Sequence, residues 1–184
     1  MSRKRMKKAA VVGCFLISMM AGISFAAKKG DEKMEQPVFG RYEIVTLAEL
    51  DLVPIKAKLD TGAFTASLNA IDIEYFEKEG DDWVRFTPVI DDQELSTREM
   101  PLLKISRIKQ RAEEGDDSDD IASSKRPVVE MTLCIGQHQE IIEVNLTNRG
   151  HFTYPLLLGA KSLRQLKALV DAGRKYTIDP DCQS

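Results

Sequence analysis

The chain has 184 residues, with 26 lysines and arginines against 29 aspartates and glutamates and a formal net charge of −3. That length suits one domain with a proper core. The acidic balance is opposite to the one expected of a nucleic-acid binder.

The first 26 residues read as a secretory signal. Arg3, Lys4, Arg5, Lys7 and Lys8 precede an apolar run from Ala9 to about Phe25, and Ser24 and Ala26 occupy the minus-three and minus-one positions of a cleavage site after Ala26. The expected destination is the periplasm or the exterior. A membrane-anchored N-terminus is the alternative, although the run is at the short end for spanning a bilayer. A lipoprotein signal at "VVGC" fits less well, because the apolar run continues past Cys14. Losing five basic residues and no acids takes the charge from −3 to about −8. Residues 27–37 read as a linker, 38–180 as the domain and 181–184 as a tail. Cys134 and Cys182 remain after the leader, and either a disulfide tying the tail to a strand or two free thiols is consistent with the sequence.

From Val38 onward the elements are short strands: "RYEIVTL", "IKAKL", "TASLNAIDI", "WVRFTPVI", "PLLKISRIK", "RPVVEMTLCI" and "QEIIEVNLT", rich in Ile, Val and Thr with partial alternation. Turns at 77–82 and 135–139, each with a glycine, predict hairpins. Between the strands, "KQRAEEGDDSDDIASSKR" (109–126) is polar and acidic, and reads as an exposed, mobile insertion. Its carboxylates lack the Gly and terminal Glu placement of a calcium-binding EF-hand loop. One segment has a helical period: "AKSLRQLKALVDAG", with Leu163, Leu166, Leu169 and Val170 on one face and Gly173 as a stop. The fold class is mostly β with one late α-helix.

Two motifs carry chemistry. Ile55, Ala57 and Leu59 form the inward face of a strand that delivers Asp60 to the turn Thr61-Gly62-Ala63. Downstream, "YPLLLGAKSL" sets Leu157, Leu158 and Gly159 ahead of the helix. Asp, Thr and Gly are common turn residues, so the tripeptide is informative only with its partner motif.

Together, "KLDTGAFTASLNA" and "YPLLLGAKSL" resemble the retropepsin group of aspartic peptidases. Most of residues 39–180 resembles a bacterial retropepsin-like family formerly labelled ATP-dependent zinc proteases. Phe64, Asn69, Ala160 and the acidic insertion depart from that pattern, and Phe64 and Ala160 flank the motifs where substrate preference is set. The resemblance implies a retropepsin-like β-barrel and a homodimeric aspartic endopeptidase acting on a peptide or protein substrate. Asp60 of each copy would supply half of a catalytic dyad, with Thr61 bonding across the two-fold axis. It also implies a setting beside envelope peptide-ligase pathway proteins. Two carboxylates at close range share one proton, making one an acid and the other a base. Ala63 offers no hydroxyl to steady the ionised form. Strands around Leu102–Ile108 and Val128–Cys134 are expected to cover the cleft, the acids of the insertion favouring basic peptides.

The zinc label finds no sequence support. His138 and His151 are the two histidines, there is no H-E-x-x-H, and no Gly-rich nucleotide loop occurs. No cofactor and no metal site are therefore expected. Cys134 with His138 is a poor nucleophilic pair, since a strand cysteine is more often core. Asn148 and Arg149 belong to the family pattern and either bind a substrate carboxylate or pin the strand end. Tyr154 is a candidate for lining the cleft, and Trp83 is expected in the core. The competing reading is a catalytically silent β-domain that binds peptides or proteins; a metal-dependent hydrolase is a third.

Overall fold

The computed structural model describes residues 36–109 and 123–182. The leader, most of the linker and the interior of the acidic insertion lie outside the described residues.

Twelve strands follow in chain order: β1 (Val38–Gly40), β2 (Tyr42–Leu47), β3 (Ile55–Asp60), β4 (Ala66–Lys78), β5 (Asp81–Ile90), β6 (Gln93–Glu94), β7 (Arg98–Pro101), β8 (Lys104–Lys109), β9 (Ser123–Ile135), β10 (His138–Thr147), β11 (Leu156–Gly159) and β12 (Leu169–Asp171). One helix, α1 (Ala160–Gln165), lies between the last two. Six of the strands pair in the order β10-β9-β2-β3-β11-β4, and β4 returns to pair with β10, closing the sheet into a barrel. Closure leaves those strands no free edge to pair with other chains.

Alternation explains the barrel's interior. Ile55, Ala57 and Leu59 of β3 point inward beside Leu156 and Leu158 of β11, Leu68 of β4 and Val144 and Leu146 of β10, all buried. Gly80 and Gly136 take positive φ at the tips of the β4–β5 and β9–β10 hairpins, a conformation glycine adopts without a Cβ penalty. The register of β4 on β5 shifts between Ile71 and Glu74, with Asp72 at φ 50°. Such a bulge bends a strand, and here it turns β4 from the buried barrel into an exposed hairpin. The predicted cleft-side strands pair with each other as β8 and β9.

Three expectations are corrected. The late helix stops at Gln165 instead of running to Gly173: Lys167 takes φ 51°, the Leu169 N–H donates to the Pro37 carbonyl at 2.9 Å, and Leu169–Asp171 pairs in parallel with β1. Leu163 and Leu166 find core to cover, whereas Leu169 is exposed and gains a strand partner instead. The insertion is narrower than 109–126, since Lys109 ends β8 and Ser123 to Arg126 open β9. Trp83 is half-buried outside the core, with the Lys78 ammonium over its indole at 4.4 Å.

The two ends of the domain meet at the β9–β10 turn. Phe39 packs edge-on against His138, and Cys182 is disulfide-bonded to Cys134. The fully buried Glu43 carboxylate accepts from the N–H groups of Gly40 and Thr177 and from the Thr177 hydroxyl. A buried carboxylate is tolerated when its oxygens are satisfied in this way.

Candidate active site

β3 has period two, so Lys56, Lys58 and Asp60 project to the side opposite the core. Asp60 stands where the strand ends. Its Oδ1 accepts from the Gly62 N–H at 3.0 Å, its carbonyl accepts from the Ala63 N–H at 3.3 Å, and its Oδ2 lies 2.9 Å from Lys58 Nζ. Lys58 is the main cause holding the Asp60 carboxyl below the usual carboxylate range; the Gly62 and Ala63 N–H groups add to it and partial burial opposes it. The Asp60 side chain keeps 26% of its exposure. Beyond it Thr61 and Gly62 are exposed, and Phe64 is 63% exposed.

The second motif fixes this turn from behind. β11 runs parallel to β3 in a register that sets Gly159 opposite Asp60 and Leu157 opposite Lys58. A Cβ on Gly159 would stand 2.6 Å from the Thr65 carbonyl oxygen and 2.7 Å from that of Phe64, so only glycine lets the two segments approach this closely. With that approach, the Ala160 N–H donates to the Ala63 carbonyl at 2.8 Å and the Lys161 N–H to that of Phe64 at 3.0 Å. The first backbone donors of α1 are thus spent on the Asp60 turn. Leu158 is buried behind it and Leu157 faces the cleft.

Two cavities adjoin the turn and share a wall made by Arg149 and Leu157. One, of about 390 Å³, is lined by Tyr42, Lys58, Asp60, Arg149, Tyr154 and Leu157, among others. The other, of about 410 Å³, runs from Ala63 and Phe64 past Asn145 to Arg107 and Arg126 on the β8–β9 hairpin. That hairpin therefore flanks the site at its base. Among the described residues, Asp60 is the only carboxylate in these linings, against Lys58, Arg107, Arg126 and Arg149. Burial lowers the Arg126 pKa, and burial together with the nearby Arg126 charge lowers that of Arg149. Like charges held close in partly buried positions favour an anionic ligand.

The remaining predicted residues divide. Arg149 is buried, its Nε donating to the Tyr154 carbonyl at 3.5 Å and its guanidinium lying over Phe152 at 4.6 Å. Asn148 is exposed, and its Oδ1 accepts from the Gly150 N–H at 2.9 Å, building the turn after β10. Tyr154 stacks on Tyr42 with ring centroids 4.3 Å apart; burial first, then Tyr176 and Tyr42, push its phenol up to about 12.

Sequence reasoning missed Lys58 as a partner of Asp60, though two lysines alternating into the motif were its signal. It missed a site role for Arg126, which was read as the last residue of the insertion and the first of the strand "RPVVEMTLCI". It also missed Asn145, buried in β10, whose Nδ2 donates to Thr65 Oγ1 at 3.1 Å and to the Ala66 carbonyl at 2.5 Å, tying β4 behind the turn.

The sequence model of a family described as RimB-like, retropepsin-like aspartic endopeptidase RimB, matches residues 38–181. Proteins named probable alpha-L-glutamate ligase are similar to this chain over part of their length. That of Shewanella halifaxensis is 30% identical over 143 residues, covering 77% of this chain and 30% of the relative. That of Parasynechococcus marenigrum is 31% identical over 129 residues, covering 68% and 26%. The chain therefore spans less than a third of these relatives' length. A crystal structure of a Legionella pneumophila protein of unknown function is 34% identical with a TM-score of 0.63, covering 78% of this chain and 98% of that one.

Proposed function

Since the chain belongs to the RimB-like family of retropepsin-like aspartic endopeptidases, we propose that it hydrolyses peptide bonds with a water held between two Asp60 carboxylates, one from each of two copies. The observation that carries this reading is the solitary Asp60 on a turn fixed by Gly62, Gly159 and α1, with exposed Thr61 and Phe64 beyond it. One carboxylate cannot be acid and base at once, and a second copy packed over the exposed turn about a two-fold axis supplies the other.

In the working pair the ionised carboxylate takes a proton from water as the oxygen attacks the carbonyl carbon, and the protonated one gives its proton to the carbonyl oxygen. The gem-diol then collapses: the C–N bond breaks, the amine nitrogen takes the dyad's proton, and one hydroxyl gives its proton back to the dyad as the carbonyl re-forms. Substrate lies extended in the cleft, Leu157, Tyr154 and the β8–β9 hairpin facing it.

The lining argues for an acidic peptide. Four cationic side chains face one carboxylate in the two cavities, and the similar ligases are named for glutamate. The acids of the insertion argued for basic peptides, but all six lie outside the described residues, and the cations stand on the path of the substrate itself. The Cys134–Cys182 disulfide supports an oxidising compartment such as the periplasm, where enzymes that build peptides in the envelope would be functional neighbours.

Mixing tests the shared site. An equal mixture of wild-type and Asp60→Asn chains, allowed to exchange, keeps about a quarter of the activity of wild type at the same total concentration, because only pairs of wild-type chains work. Retention of half the activity means that each chain works alone, and the dyad reading is then wrong. A binding domain without hydrolysis is the second reading, favoured by the Lys58–Asp60 ion pair, which holds in its ionised form a carboxyl whose dyad needs a proton.

A further inference from the structure

The lysine beside Asp60 raises a problem for any shared-proton mechanism. A dyad works with one proton between two carboxylates, yet Lys58 Nζ sits 2.9 Å from Asp60 Oδ2 and favours the form without a proton. Every other group facing Asp60 leaves that problem in place. Arg149 from the turn after β10 is cationic, Tyr42 from β2 and Tyr154 before β11 are phenols, and among the described residues no second carboxylate lines the cavity. On α1, Lys161 is paired with Glu143 and Arg164 lies over the Phe64 ring.

We propose that Lys58 is a substrate-operated gate: an acidic side chain next to the scissile bond draws the Lys58 ammonium off Asp60 and so releases Asp60 to share the dyad's proton. This rests on the peptidase reading above. Three features carry it. The pair is half in water, Lys58 keeping 45% of its side-chain exposure, and exposed ion pairs are weak enough to exchange partners. Lys58 and Asp60 line the same 390 Å³ cavity and project to the same side of β3 two residues apart, so the ammonium can turn on its flexible four-carbon stem without backbone movement. Arg149 shares that cavity and offers an incoming carboxylate a second donor.

The exchange conserves charge: one ion pair, Lys58 with Asp60, is replaced by another, Lys58 with the substrate carboxylate, and Asp60 gains a proton from solvent. No covalent bond changes in this step. A neutral side chain at the same position leaves Lys58 on Asp60, so the gate selects by chemistry as well as by fit. Lys58 is thus a positioning residue, acting through Asp60.

Two measurements on the full-length protein test this. In the first, the Asp60 carboxyl is titrated by NMR with ¹³C-labelled aspartate, assigned through Asp60→Asn, with tetraglutamate or tetraglutamine added. Tetraglutamate is expected to move the Asp60 midpoint upward and tetraglutamine to leave it in place. Lys58→Met is expected to start from a higher midpoint and to respond to neither peptide. A midpoint indifferent to tetraglutamate, or one the same in Lys58→Met as in wild type, overturns the gate. In the second, matched peptides with Glu or Gln beside the cleaved bond are compared across pH. Lys58→Met is expected to shift the profile for the Gln peptide to higher pH and to reduce the Glu-over-Gln ratio of kcat/KM about tenfold, the scale of a hydrogen bond to a charged group. An unchanged ratio and profile also overturn it. The first measurement needs no turnover, so a chain that cleaves nothing removes the peptidase reading while the titration still decides the gate.

Discussion

Two lysine–aspartate pairs lie side by side on one face of β3, and they are built differently. Lys56 Nζ lies 3.0 Å from Asp91 Oδ2, and Lys58 Nζ lies 2.9 Å from Asp60 Oδ2. Asp91 sits in the β5–β6 turn with Asp92, both at positive φ, and both members of its pair are about half exposed. Asp60 has the Gly62 N–H on one oxygen, Gly159 across from it in register, and two α1 N–H groups holding the carbonyls of the residues that follow. The ion pair is common to both, so it is the backbone frame that distinguishes the Asp60 carboxylate from a surface one.

The largest difference should come from removing each carboxylate. Asp60→Asn keeps the turn's shape and is expected to lower kcat about 10³-fold, within the range for loss of a general acid–base group. Asp91→Asn should leave kcat within about twofold, as a surface change remote from the chemistry does. Equal losses in a peptidase assay would erase the distinction. Breaking the frame while keeping the carboxylate comes next. Gly159→Ala drives a Cβ into the Thr65 and Phe64 carbonyl oxygens, and should cost about 1–3 kcal/mol in urea unfolding and about 10²-fold in kcat/KM through displacement of Asp60.

A smaller effect separates the surroundings. Arg149→Gln removes a buried cation from the wall shared by the two cavities, and should lower kcat/KM for acidic peptides about tenfold more than for neutral ones. The smallest effect is on stability against pH. Lys58 holds the folded Asp60 carboxyl below its ordinary value, so its stabilisation is complete above the usual carboxylate range and is lost as pH falls through the lowered folded value. Thermal midpoints from about pH 6 to about pH 2 should fall less steeply for Lys58→Met than for wild type, by under about 1 kcal/mol because the pair is partly solvated.

Much of this frame was legible in the sequence. Alternation in "IKAKL" placed Ile55, Ala57 and Leu59 inward, and the resemblance of D-T-G and L-L-G to the retropepsin motifs assigned Asp60 and Gly159 to one site; their register came from the structure. What escaped depended on contacts distant in sequence. The helical period through Leu169 and Val170 was real, but β1 offered a strand partner, and the left-handed turn at Lys167 took the chain there. Arg126 fell both at the end of the insertion and at the start of the strand "RPVVEMTLCI", and neither reading set its side chain beside the Asp60 turn, a placement that depends on contacts across the barrel. The cysteine pairing needed the Gly136 turn and the tail to be brought together, with the Asp181 N–H donating to the Gly136 carbonyl at 2.7 Å.

The parallel pairing of β1 with β12 has a consequence for architecture. Entry and exit segments are fastened to each other at Val38–Leu169 and again around the β9–β10 turn, where Phe39 meets His138 and Cys182 meets Cys134. A unit whose two ends emerge together behaves as a cassette: it can be spliced into or appended to a longer polypeptide while the barrel and the Asp60 turn keep their geometry. A graft of residues 36–182 into an exposed loop of an unrelated host should therefore fold without circular permutation, the host needing only to present two attachment points a short distance apart.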